Sequence, residues 1–134
     1  MLNNDYPIVE GEYQLTEQWS LKLPDKFNRR TEDGSLVLWK EGLTLWINIW
    51  GNDNNLSPKD QIDSIKKDIS TSAYDLKDEA SGNKYKLTYR LDEPDRFATY
   101  GFVAGESGYV QIAIYYDDEQ NCQLANTIID SVDS

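Results

Sequence analysis

Apolar and polar residues alternate along most of this chain, which is the period of strands whose two faces differ. The densest case is residues 35–50, SLVLWKEGLTLWINIW, which hold three of the four tryptophans. Lys40-Glu41-Gly42 is a turn signal between two β-prone runs, so the stretch predicts a hairpin. In its second arm Leu45, Ile47 and Ile49 share one face, and Trp46, Asn48 and Trp50 the other. The aliphatic face requires a core. The Trp/Asn face fits either a second core or a surface that holds something.

Upstream, residues 1–11 read as a loose lead-in with room for one short strand. Tyr13 and Leu15, then Trp19, Leu21 and Leu23, alternate with polar residues, and a turn over residues 16–18 fits between them. Pro24 is expected to end the second run, because it has no N–H for the ladder. Residues 26–31 predict another short strand. Asp33-Gly34 predicts a hairpin turn of type I′.

A three- and four-residue period replaces the alternation after the loop at residues 51–56. Ser57 suits an N-cap, Pro58 the first helical position and Asp60 the first turn. Ile62, Ile65 and Ile69 form one stripe, so a helix is expected to run to about Ser70 or Thr71. Residues 74–76 predict a short strand and residues 81–83 a turn. In residues 84–91, Tyr85, Leu87, Tyr89 and Leu91 oppose Lys84, Lys86, Thr88 and Arg90. Strands over residues 97–104 and 109–116 follow, joined by a turn at residues 105–108. In the last strand Val110, Ile112 and Ile114 oppose Gln111, Ala113 and Tyr115. Asp117 or Asp118 caps a closing helix whose apolar face is Leu124, Ala125, Ile128, Ile129 and Val132.

Short turns between neighbouring strands predict a largely antiparallel sheet flanked by two amphipathic helices. That is an α+β fold in a single domain spanning residues 1–134. Over residues 12–134 this order resembles the PsbP-like superfamily, which includes Ran-binding Mog proteins and bacterial Eag-type chaperones. The resemblance rests on Trp19-Ser-Leu-Lys-Leu-Pro24 before a strand hairpin, the Ser57-Pro58 helix, the meander of residues 84–116 and the closing helix. It implies a sheet flanked by helices and a bias towards protein binding without catalysis. In bacteria it implies a type VI secretion chaperone or an immunity protein.

Charge narrows the partners. Thirteen Lys and Arg against 24 Asp and Glu give a net charge of −11. Nucleic acid is not expected, since phosphate binding is driven by clustered Lys and Arg. An anionic membrane would repel such a chain, and a basic protein surface would attract it. One cysteine, Cys122, excludes an internal disulfide and fits a reducing compartment. With no basic n-region before an apolar stretch and no long apolar run, neither a signal peptide nor a membrane span is expected, and the expected location is cytoplasmic.

The chain has no histidine. Ser-His-Asp and Cys-His sites are thereby excluded, as is a His/Cys zinc site. No phosphate-binding glycine motif occurs. The acidic run at residues 117–119 lacks the spaced ligands of an EF-hand loop, and the loop at residues 52–55 has one carboxylate, so both read as caps and turns. No catalytic residue, metal or cofactor is expected.

The remaining constellation is on the sheet. If Leu45/Ile47/Ile49, Tyr85/Leu87/Tyr89 and Val110/Ile112/Ile114 all face the helices, the opposite face gathers Trp46, Asn48, Trp50, Lys86, Thr88, Arg90, Gln111, Ala113 and Tyr115. Tryptophan, tyrosine and arginine dominate interface energetics. Trp46, Asn48, Trp50, Lys86, Arg90, Gln111 and Tyr115 are therefore the expected partner-binding residues, with Lys86 and Arg90 stacked on the indoles. The alternatives are a solvated sheet face with its indoles shielded by long side chains, or a core covered by the N-terminal segment. The functional expectation is a non-enzymatic interaction module, an adaptor, chaperone or immunity-type protein. Its partner would be another protein, either basic or presenting an apolar helix, or a second copy in a homodimer. The competing expectation is a small-ligand binder or histidine-free enzyme using the same face. A deep pocket with a carboxylate beside Arg90 or Tyr115 would favour the latter.

Overall fold

Tight turns set the architecture. Asp33 and Gly34 both adopt positive φ, 50° and 86°, as a type I′ hairpin requires. They join β2 (Ser20–Glu32) to β3 (Ser35–Lys40), and Glu41-Gly42 joins β3 to β4 (Leu43–Gly51). With β1 (Ile8–Gln14) these strands form an antiparallel meander. A second meander contains β5 (Tyr74–Ser81), β6 (Lys84–Arg90), β7 (Phe97–Gly105) and β8 (Gly108–Tyr116). The two join where β4 pairs with β8, giving one sheet of eight strands in the order β1-β2-β3-β4-β8-β7-β6-β5. Each meander is followed by a nine-residue helix, α1 (Pro58–Lys66) and α2 (Cys122–Asp130). The structure is a computed structural model that describes residues 2–134, and its fold is α+β with an antiparallel sheet.

The pairs Leu45↔Ile114, Ile47↔Ile112 and Ile49↔Val110 put both aliphatic rows on one face. There α2 lays down Ala125, Ile128 and Ile129, all buried. The start of β2 bends over the same core. Ser20 exchanges backbone hydrogen bonds of 2.8 Å with Asp133, just beyond α2, and Trp19, Leu21 and Leu23 are buried beside it. Ile49, at the end of the row, stays partly exposed.

The two helices do not share a face, which corrects the expectation from the sequence. α1 packs on the opposite face, with Ile62 against Leu87, Tyr89, Phe102 and Ala104. Ser57 caps it, its Oγ accepting from the Asp60 N–H at 3.1 Å. The α-helix ends at Lys66, earlier than the isoleucine stripe suggested, although Ile69 still packs on this cluster. The closing helix also starts later than expected: Asp118 caps a 3-10 turn, Glu119–Asn121, ahead of α2.

Pro24 does not end a strand. β2 runs 13 residues straight through it, because Gly11 pairs with Leu23 and Val9 with Phe27. Two steps along β1 thus span four along β2, and the missing proline N–H falls within the bulge. β5 runs to Ser81, well past the expected residue 76, and every residue of it is exposed. Among the described residues no helix is long and apolar enough to cross a membrane.

Gly101 of β7 lies directly under α2, where a Cβ would fall 2.7 Å from Ile129 Cγ2. Gly101→Ala should therefore cost about 1–3 kcal/mol by overpacking. Pairing it with Ile129→Ala should recover part of the loss, giving a favourable coupling in a double-mutant cycle measured by urea unfolding.

Candidate partner-binding face

The register of the central strands brings five of the seven expected residues together. Trp46 lies beside Ala113, Asn48 beside Gln111, Trp50 beside Tyr109 and Thr44 beside Tyr115. All these side chains emerge on the face opposite the aliphatic core. The rows continue sideways. Val37, Trp46, Ala113, Tyr100 and Tyr89 form one, and Trp39, Thr44, Tyr115 and Ala98 another. α1 covers the part of this face over β6 and β7. Over β2 and β3 lies the N-terminal segment, where Tyr6 meets Trp39 edge-on at 5.0 Å. Between these covers, Trp46, Gln111 and Tyr115 are half-buried and Trp50 is 50 % exposed.

Hydrogen bonds hold the aromatic groups in place. Trp50 Nε1–H donates to Gln111 Oε1 at 2.9 Å, and its ring stacks on Tyr109 at 6.4 Å. Ser35 Oγ donates to Asn48 Oδ1 at 2.8 Å. The Tyr100 and Tyr115 hydroxyls are 3.0 Å apart. Burial, followed by this bond, pushes the Tyr100 phenol up, so it stays neutral. Preformed rings of this kind lose little conformational entropy when something docks on them.

Lys86 and Arg90 are not part of the face, which corrects the sequence-based grouping. Arg90 pairs with Thr99, which pairs with Ile114, so Arg90 and Lys86 project on the aliphatic side. There they hold the closing helix. Arg90 makes a two-pronged contact with Glu119, one prong at 2.7 Å, and lies 5.2 Å from the Tyr74 ring and 5.7 Å from Phe97. Hydrogen bonding to Glu119, against an opposing effect of burial, holds the guanidinium above its ordinary value. Lys86 bonds Asp130 and sits 3.5 Å from Glu79. Burial alone would lower its ammonium, but the Asp130 bond and the two carboxylate charges reverse the direction.

Two other arginines take the stacking role. Arg30 lies 4.6 Å from the Trp39 ring and 5.9 Å from Trp46, with Glu32 as its ion pair at 3.1 Å. Arg96 lies 3.9 Å from the Tyr115 ring and pairs with Glu93 at 3.3 Å. Arg30 had a sequence signal. A two-residue Asp33-Gly34 turn sets Glu32 against Ser35, hence Arg30 against Val37, and Val37 against Trp46. Arg96 had none, since the loop at residues 92–96 carries no period. The asparagine loop is structural: Asn52 Nδ2 donates to the carbonyls of Leu56 and Glu106 at 2.8 and 2.9 Å.

Removing an open indole and a buried one should give very different results. Trp50→Ala should change unfolding free energy by less than about 1 kcal/mol, and Trp19→Ala, in the core, should cost about 3–5 kcal/mol, as read from urea unfolding. The ion pair at Glu119 predicts a pH effect. Hydrogen bonding to Arg90, partly opposed by burial, holds the Glu119 carboxyl below its ordinary 4.5. A depressed carboxylate contributes stability that is fully present above the unfolded value and fades as pH falls through the folded one. Glu119→Gln should thus lower the melting temperature at neutral pH and leave a shallower fall below pH 4.5 in a melting series. No family model matches the chain and no curated protein matches it in sequence, so the geometry of this face carries the functional reading.

Proposed function

We propose that this chain is a non-enzymatic protein-interaction module that binds its partner through the aromatic face around Trp46, Trp50, Gln111 and Tyr115. One observation carries the reading: Arg30 and Arg96 are stacked on half-buried rings across a part of the sheet that neither helix covers. Aromatic side chains and arginine are the groups enriched where binding energy concentrates. Each stacked guanidinium covers part of a ring and carries charge over it, so the face holds little bare aromatic surface when free and can still be desolvated on contact. A net charge of −11 suits a partner with a basic rim, because opposite fields speed encounter. On the PsbP-like resemblance, the role would be that of a bacterial cytoplasmic adaptor, chaperone or immunity-type protein.

A photo-crosslinking amino acid placed at Trp46 should capture a partner in cells of the native host. The same group at Glu17, in the β1–β2 loop, should not. Trp46→Ala should weaken binding of that purified partner at least about tenfold, or 1.4 kcal/mol, with the fold retained. Equal capture from both positions, or unchanged affinity for a folded Trp46→Ala chain, would sink the proposal.

A further inference from the structure

The residues ahead of β1 cross one end of the aromatic face, and what holds them there is specific. Asn28, on that face of β2, is wholly buried. Its amide is taken up by main chain. Asn3 N–H donates to Asn28 Oδ1 at 2.7 Å, and Asn28 Nδ2 donates to the Asn3 carbonyl at 2.7 Å and to that of Tyr6 at 3.4 Å. A side-chain amide offers the same donor and acceptor as a peptide group, so Asn28 recognises backbone and not a particular side chain.

The bound segment is a tight turn. Tyr6 N–H donates to the Asn3 carbonyl at 3.3 Å, and Asp5 N–H donates to Asn3 Oδ1 at 2.9 Å. An asparagine opening a four-residue turn favours this shape. The turn carries an aromatic ring in its fourth position, and that ring packs edge-on against Trp39 at an interplanar angle of 77°. Trp39 also carries the Arg30 guanidinium, which reaches on to Trp46. The covered end of the face is thus continuous with its open part. Tyr6 itself is 41 % exposed, so its ring clasps Trp39 from outside and is not sealed into a core.

We infer that Asn28 and Trp39 form a turn-receiving subsite of the partner-binding face, occupied here by the chain's own residues 3–6. The inference rests on the reading of the aromatic face as the partner surface. The partner segment that replaces residues 3–6 is a tight turn whose first residue presents its backbone to Asn28 and whose fourth carries an aromatic ring. A lysine or arginine in that fourth position is disfavoured by the Arg30 charge on the same indole. The chain's own segment acts as a tethered competitor, present at the high effective concentration of any short tether. A partner therefore needs contacts with Trp46 and Tyr115 as well, and removing the competitor strengthens its binding.

The test uses the full chain with its own turn disabled by Asn3→Gly and Tyr6→Ala, and a synthetic peptide of residues 2–8 as probe. Isothermal titration calorimetry should show saturable binding to this variant, and binding at least tenfold weaker to the unaltered chain. Adding Asn28→Ala, or Trp39→Leu as a second route if the first lowers the melting temperature, should abolish it. A peptide with lysine in place of its tyrosine should fail to bind. Disabling the turn should also raise the crosslinking yield from Trp46 at least threefold. Absence of peptide binding to the disabled chain, or binding that survives loss of Trp39, would overturn the subsite whatever happens at Trp46. Strand-end exchange between copies, seen as a dimer of the unaltered chain in which residues 3–6 cross over, would overturn it too, since the occupant would then be a second copy. Failure of crosslinking from Trp46 with peptide binding intact would count against the wider reading alone.

Discussion

Both faces of this protein depend on one pairing, the antiparallel seam between β4 and β8. It joins two meanders that otherwise share few contacts, through nine residue pairs from Leu43↔Tyr116 to Gly51↔Gly108. Its last pair tolerates no side chain at Gly108, where a Cβ would lie 1.8 Å from the Trp50 carbonyl oxygen. Side chains alternate along a strand, so a slip of β4 by one residue against β8 would send Ile47 to the aromatic face and Trp46 into the aliphatic core. The seam therefore sorts the chain into an aliphatic side that α2 can seal and an aromatic side that α1 covers only in part.

That sorting separates two kinds of charge. On the aliphatic side, Arg90, Lys86 and Lys84 tie β6 to Glu119, Asp130 and Asp133, bracketing α2 at both ends. These cations are committed to carboxylates and serve the fold. On the aromatic side, Arg30 and Arg96 also pair with acids, but their side chains are 34 % and 39 % exposed against 11 % for Arg90, so their charge stays at the surface. An acidic protein thus presents guanidinium groups where its aromatic rings are, and this gives the face a character distinct from the rest of the surface.

Much of this is legible in the sequence. The two-residue turns and strict alternation in β3, β4 and β8 place Leu45, Ile47, Ile112 and Ile114 together, and with them Trp46, Asn48, Trp50, Gln111 and Tyr115. The phase of β6 was not legible, and β7 is the reason. Its residues Phe97–Gly105 are buried on both sides, seven of the nine deeply enough to erase the alternation that would have carried the phase from β8 to β6. Alternation alone therefore puts Arg90 and Lys86 with the tryptophans, whereas the register places them on the aliphatic side. The continuous β2 was hidden by Pro24, which a bulge accommodates, and the late residues of β5 by their charge. An all-exposed edge strand has no buried face to impose a period, and its charges discourage pairing with another sheet. The role of residues 2–7 was hidden for another reason: the buried amide of Asn28, the Trp39 ring and the Arg29 N–H hold them, and single contacts of this kind leave no pattern in a strand.

The strand order also bears on how the chain is made. β4 finds its partner only in β8, 65 positions later for Ile47 and Ile112, and the aliphatic face is closed only by α2, which follows β8. While a ribosome is still extending the chain, the first meander has its turns and its hairpins but nothing to cover Leu45 and Ile47. Long-range pairing of this kind is slow, because the loop must close before its contacts repay it. The emerging N-terminal half is thus the state in which a chaperone would first meet this protein, with Leu45 and Ile47 bare and Trp46 still without its β8 neighbours.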